Sequence, residues 1–338
     1  MTPLGDTLTT DSVFEPRALF RRSVSSSSFW LVLILAALII GFYAHSSDAF
    51  GSTTNITNIA LDASGLLVIS VAMTFIVITG GIDLSPGAVL VFSQVIGAKV
   101  MVAMPQDNTT LAISAGIAAA LATGAAWGAL NGFLIAYARV PALIATLGTM
   151  GMALGGSLIM TNGLNVAGIP SQITSIATAD LLGLPLIVVI ALLVAILGGG
   201  LLKLTRFGKV TFAIGSNIEA VRRAGLSERR HLLTIYLSMG VLAAFAGQLE
   251  MARFGTTAVN GHSTDALQAI AAVIIGGTSL FGGVGSLLGT VIGVFIPAVL
   301  RNGFLIVGMG AFWQQAVIGA VLIAAVYWDQ LKRRVDIR

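Results

Sequence analysis

The residues best placed to do chemistry lie in the stretch 71–91, VAMTFIVITGGIDLSPGAVLV. A hydrophobic run is broken there by two glycines, the carboxylate of Asp83, the hydroxyl of Ser85 and Pro86. A charge at the centre of a membrane helix costs about 2.5–3.5 kcal/mol or more. Broken backbone at that depth survives only where protein or a water-filled cavity satisfies its polar groups. The segment therefore implies an interior path rather than a passive anchor. Asp83 has two readings: it stands near a gate or solute path, or it opens the next helix, with Asp83 or Ser85 as N-cap and Pro86 at the first helical position. Thr74, Gln94, Asn131, Asn162, Gln248 and Gln268 are further polar residues at or near membrane depth. Such groups can replace the water around a polyhydroxylated solute, or they can bond from helix to helix.

Several chemistries are excluded. The chain has no cysteine, hence no disulfide, thiolate metal site or cysteine nucleophile. It has no G-x-x-x-x-G-K-[ST] loop to cradle ATP phosphates and no G-x-S-x-G elbow. His45, His231 and His262 are far apart and make no zinc motif. Ion-coupled carriers often hold several ionisable residues in their spans. Here Asp62, Asp83, Glu250 and Asp265 fall near span ends or breaks, which weighs against that class.

The elements that position these residues are membrane helices. The chain is 56% hydrophobic and 9% charged, against about 25% charged in soluble domains. Its 40 glycines suit helices packed closely in lipid. The hydropathy pattern predicts an all-α polytopic fold with ten spans at about 29–46, 57–79, 85–104, 111–136, 142–162, 184–204, 231–252, 266–280, 285–301 and 310–328. The spans 266–280 and 285–301 are short and flank a glycine-rich break, so they read as half-helices or as one folded unit. The expected organisation is a cytoplasmic tail over 1–28, a membrane domain over 29–328 and a cytoplasmic tail over 329–338. Clusters of Lys and Arg at 17–22, 139, 203–230 and 332–338 place both termini and the loop 205–230 in the cytoplasm. Lys99, Arg253 and Arg301 are exceptions, expected to snorkel from outer span ends. The segment 163–183 becomes the largest outer loop.

The inner loop, TRFGKVTFAIGSNIEAVRRAGLSERR, predicts a short helix from Glu219 to Arg223, with Asn217 as N-cap and Gly225 as stop signal. Such a helix can dock into a cytoplasmic partner; the same basic loop can simply fix topology and touch anionic lipid. ITGGIDLSPGA (78–88) and IIGGTSLFGGV (274–284) agree at five aligned positions and read as two similar backbone breaks.

Four segments together resemble the permease subunit of bacterial ABC importers for monosaccharides, the ribose, xylose and galactose type. They are AMTFIVITGGIDLSPGA (72–88), WGALNGFLIAYARVPALIATLGTM (127–150), TRFGKVTFAIGSNIEAVRRAGL (205–226) and LQAIAAVIIGGTSLFGGVGSLLGTVIG (267–293). Pro86 departs from the valine more usual there, and Gln268 from a more usual acidic residue. The resemblance implies about ten helices and uptake of a monosaccharide or related polyol in the bacterial inner membrane. It implies a homo- or heterodimer of permeases, two cytoplasmic ATPase subunits or one fused double ATPase, and an extracytoplasmic sugar-binding protein. No cofactor is expected on this chain: ATP and magnesium would sit on the ATPases, and no nucleic acid partner is implied. Gly215, Asn217, Glu219, Ala220, Arg222, Arg223 and Gly225 match the region that couples to the ATPase. The alternative is a carrier or channel for a small polar solute that works without ATP.

Overall fold

The computed structural model describes residues 27–310, apart from Gln106 and Leu182, together with scattered positions from 313 to 327. Nearly all of the expected tails, and most of the tenth span, lie outside the described residues. The helices are α1 (Ser27–His45), α2 (Ser47–Phe50), α3 (Thr53–Ile78), α4 (Pro86–Ala103), α5 (Thr109–Ala136), α6 (Ala142–Thr161), α7 (Ser175–Thr178), α8 (Leu186–Leu204), α9 (Arg206–Ser216), α10 (Ile218–Arg223), α11 (Glu228–Phe254), α12 (Asp265–Ile275) and α13 (Leu287–Ile306). Among the described residues, seven helices are long and apolar enough to cross a membrane. The chain is thus an all-α polytopic membrane protein.

The span boundaries agree with the hydropathy reading within a few residues, with two corrections. The span expected at 266–280 is a helix only to Ile275; at 1.5 Å per residue its eleven residues reach about 16 Å, half of a bilayer core. The span expected at 285–301 runs to Ile306 and is full length. It continues past Arg301 and Asn302 because both find partners: Arg301 donates to Gln268 and Asn302 donates to Asn55 at 2.8 Å.

Helix α3 is the centre of the fold, with 83% of its apolar window buried. It packs against α8, α11, α12 and α13. The second group is α4, α5 and α11, with α6 laid on α4. Helix α5 buries a narrow stripe of Ala112, Gly116, Ala120, Gly124, Gly128, Gly132 and Ala136, spaced four apart. Small residues at that spacing let two backbones approach in lipid. A Cβ on Gly240 of α11 would collide with the Gly124 carbonyl, so the contact admits nothing larger than glycine.

The two breaks share one device. After α3, Gly80 is left-handed (φ 77), Gly80 N–H donates to Val77 and Gly81 N–H donates to Ile76. After α12, Gly277 is left-handed (φ 86), Gly277 N–H donates to Ile274 and Thr278 N–H donates to Val273. Both are Schellman caps, which need a residue free to take positive φ. The sequence match pairs Gly80 with Gly276, whereas the structurally equivalent glycine is Gly277, one place on. The breaks also meet: Gly283 N–H donates to the Ile78 carbonyl at 2.8 Å.

The segment 163–183, expected to form an outer loop, is folded. It contains a 3-10 turn (Ser171–Thr174), α7, and a two-residue strand at Asp180–Leu181 paired with Leu184–Pro185. Ile173 is buried there, and Thr257 and Asn165 tie this segment to the loop after α11.

Candidate functional site

Three assemblies of polar residues stand out. The first is built on the break before α4. Asp83 Oδ1 accepts from the Ser85 N–H at 2.8 Å and from the Ser85 hydroxyl at 2.7 Å. Asn131 Nδ2 donates to Ser85 Oγ at 2.9 Å, and Thr149 Oγ1 donates to Asn131 Oδ1 at 2.7 Å. All four are buried. Thr146 accepts the Leu84 N–H at 3.2 Å. The chain of hydrogen bonds joins the break to α5 and α6. Pro86 does open α4, but Ser85 makes no side-chain cap bond to it. Asp83 instead closes the turn that precedes the helix, an arrangement in which an aspartate oxygen binds the backbone two residues on.

The other intramembrane candidates are dispersed. Thr74 shares a hydrogen bond with Thr290, linking α3 to α13 at 2.8 Å. Gln94 donates to the Gly247 carbonyl and accepts from Ala258 N–H, each at 2.9 Å, clamping α11 and its following loop. Asn162 is left-handed (φ 51) and ends α6. Gln248 is buried beside Gly97, and its amide has no hydrogen-bond partner among the described residues.

The second assembly is the segment 205–227, which is mostly helical where the sequence reading foresaw only one short helix. Thr205 caps α9, accepting from Gly208 N–H at 3.3 Å. His231 lies over Phe207, ring centroids 4.2 Å apart, and bonds Thr211 at 2.9 Å, which fastens α9 to α11. Asn217 caps α10 by accepting from Ala220 N–H at 3.0 Å. Glu219 and Arg222 form an ion pair at 2.7 Å, and Arg223 reaches the Glu219 carbonyl at 3.4 Å. Gly225 is left-handed (φ 75) and completes a Schellman cap, with Leu226 N–H donating to Val221. Arg222 also donates to Glu228 at 2.9 Å. Glu228, buried at the start of α11, is a residue the sequence reading passed over. At the end of α9, Gly215 lies against both breaks: a Cβ there would strike the Ile78 carbonyl and the Gly283 nitrogen. Three separate segments thus converge on one point.

The third assembly is a cavity of about 330 Å³ lined by residues of α3, α4, α11, α12, α13 and the loop 255–264. Asp62 pairs with Arg253, Arg301 donates to Gln268, and His262 Nδ1 pairs with Asp265 at 2.7 Å. Glu250 lies beside Gly65. Arg253 and Arg301 therefore do not snorkel away from the protein; they are paired inside it. Of the eight intramembrane candidates, only Gln268 lines this cavity. The signal available in the sequence is the set of charges itself, each of which on its own looks like a residue at a span end.

The sequence that builds these assemblies is similar to that of known proteins. A family described as branched-chain amino acid transport system / permease component matches residues 55–326. The chain belongs to this permease family. Among similar proteins, the galactose/methyl galactoside import permease protein of Haemophilus influenzae is 33% identical over 95% of this chain and 98% of its own length. The D-allose transport system permease protein of Escherichia coli is 31% identical over 97% and 99%. The ribose import permease protein of Escherichia coli is 34% identical over 90% and 95%. No solved structure matches the chain. All three permeases align across nearly their whole length and across 90–97% of this chain.

Proposed function

We propose that this permease is the membrane subunit of an ATP-driven importer for a monosaccharide or related small polyol. Its relatives are named for galactose, allose and ribose, and they support a sugar over the amino acids in the family's description. Hydrolysis takes place on two separate ATPase subunits, or one fused double ATPase, which hold ATP and magnesium. A second permease completes the path, and an extracytoplasmic binding protein delivers the sugar. The protein lies in a bacterial inner membrane with both termini and α9–α10 in the cytoplasm, an orientation supported by the Lys and Arg asymmetry.

The observation that carries this reading is the junction at Gly215. Helix α10 presents exposed Glu219, Arg222 and Arg223 to a cytoplasmic partner. Helix α9 continues from it to the two backbone breaks. A push on α10 is transmitted through α9 to Ile78 and Gly283, the points where α3 ends and where the break after α12 turns. Breaks are the compliant parts of otherwise rigid helices, so movement at this junction changes the tilt of α3 and α12 relative to α4 and α13. Alternating access follows if that tilt opens the outer and inner ends of the path in turn.

The test is Glu219→Lys. Exposed ion pairs contribute about 0–1 kcal/mol, and Glu219 is 62% exposed in its pair with Arg222, so the variant should insert and fold normally. It should lose co-purification with the ATPase and uptake of sugar. Wild-type co-purification and uptake would remove α10 from the docking surface.

A further inference from the structure

The charged cavity has no place in the coupling route, yet charged and polar side chains make up most of its lining. Its volume of about 330 Å³ falls within the range of about 300–1,000 Å³ typical of small-molecule sites. Its charges nearly balance: three carboxylates (Asp62, Glu250, Asp265) face two guanidiniums (Arg253, Arg301) and the imidazole of His262. Most of these groups hold one another. Both arginines are engaged, one by Asp62 and one by Gln268, and Asp265 is engaged by His262. Glu250 differs. Its carboxylate accepts no hydrogen bond from the described residues, and it stands where Gly65 leaves space, since a Cβ at Gly65 would come within 2.5 Å of Glu250 Oε1. Leu66, Leu90 and Phe254 add apolar surface to the same wall.

We infer that this cavity is a transit site for a neutral polyhydroxylated solute, with Glu250 as the acceptor for its hydroxyl groups. The inference rests on the importer reading above and adds where the sugar pauses. A carboxylate that accepts no hydrogen bond gains most from O–H donors, because hydrogen bonds to a charged group are the stronger kind. A lining with three carboxylates disfavours an anion such as a sugar phosphate. An amino acid would bring a further carboxylate to a lining that already holds three, and Arg253 is already paired with Asp62. Leu66, Leu90 and Phe254 suit the C–H face of a sugar ring.

The cysteine-free chain allows a direct test. Leu66→Cys in the purified full-length permease, held in lipid nanodiscs, is treated with a small methanethiosulfonate reagent. D-galactose, D-allose and D-ribose are the probes, with L-leucine as the zwitterionic comparison. At least one sugar should slow the labelling, L-leucine should not, and Glu250→Gln should weaken the protection about tenfold, the loss of a bond to a charged acceptor. Failure of Leu66→Cys to label, protection by L-leucine alone, or sugar protection unchanged by Glu250→Gln each overturns the site. Uptake by the assembled wild-type importer separates the two levels of the argument. If it carries one of these sugars and none protects, the cavity is not on the path and the importer reading stands. If it carries none and none protects, both fall.

Discussion

Asp83 draws its importance from its partners rather than from its charge alone. One of its oxygens takes two hydrogen bonds from Ser85; Asn131 donates to Ser85, and Thr149 donates to Asn131. Asparagine at this position keeps an oxygen for both Ser85 donors. Alanine leaves a buried N–H and a buried hydroxyl without that acceptor, at a cost of about 1–3 kcal/mol per group. Asp83→Asn should therefore keep thermal stability and uptake, while Asp83→Ala should lower both, as read by melting in detergent and by transport in cells. Loss of uptake in both variants at normal stability would assign the role to the charge. The sequence makes the turn before α4 legible, because Asp-Leu-Ser-Pro is a helix-opening string. It does not reveal the links, since Asn131 and Thr149 come from two other helices. The same holds for Arg253 and Arg301: each looks like a lone cation near a span end until the fold sets Asp62 and Gln268 beside it.

Helix periodicity and glycine punctuation made most of the elements readable. The ends of α3, α5, α6 and α8 lie within a few residues of the hydropathy edges. The half-length of α12 was not settled by hydropathy, because the apolar run continues past Ile275 while the backbone turns at Gly277. The helical form of α9 was also missed, since its Arg, Lys and Thr residues resemble a basic loop when its docking face on α11 is unknown. Gly215 is where these elements touch. An added methyl group meets backbone atoms that cannot swing aside, and overpacking of this kind typically costs about 1–3 kcal/mol. Gly215→Ala should still bind the ATPase, because α10 is unchanged, yet its hydrolysis should no longer respond to the sugar-loaded binding protein. A response equal to wild type would show that α9 does not transmit motion to the breaks.

Taken whole, the molecule separates its tasks by position. The α9–α10 pair lies at one end, the polar links around Asp83 lie behind it, and the charged cavity lies beyond, beside the loop 255–264 that bonds the segment 163–183. The class of the protein was legible from four sequence segments because each serves one of these positions; the cavity was not, because it draws single residues from six places in the chain. If this chain converts ATP hydrolysis by its partners into sugar movement, uptake must depend on both. The direct measurement is accumulation of labelled sugar in sealed vesicles containing the permease, its ATPases and the binding protein, with ATP supplied on the side of α9–α10. The account predicts uptake against a gradient that needs both ATP and the binding protein. Equal, purely downhill uptake without ATP would contradict it and leave a carrier or channel in its place.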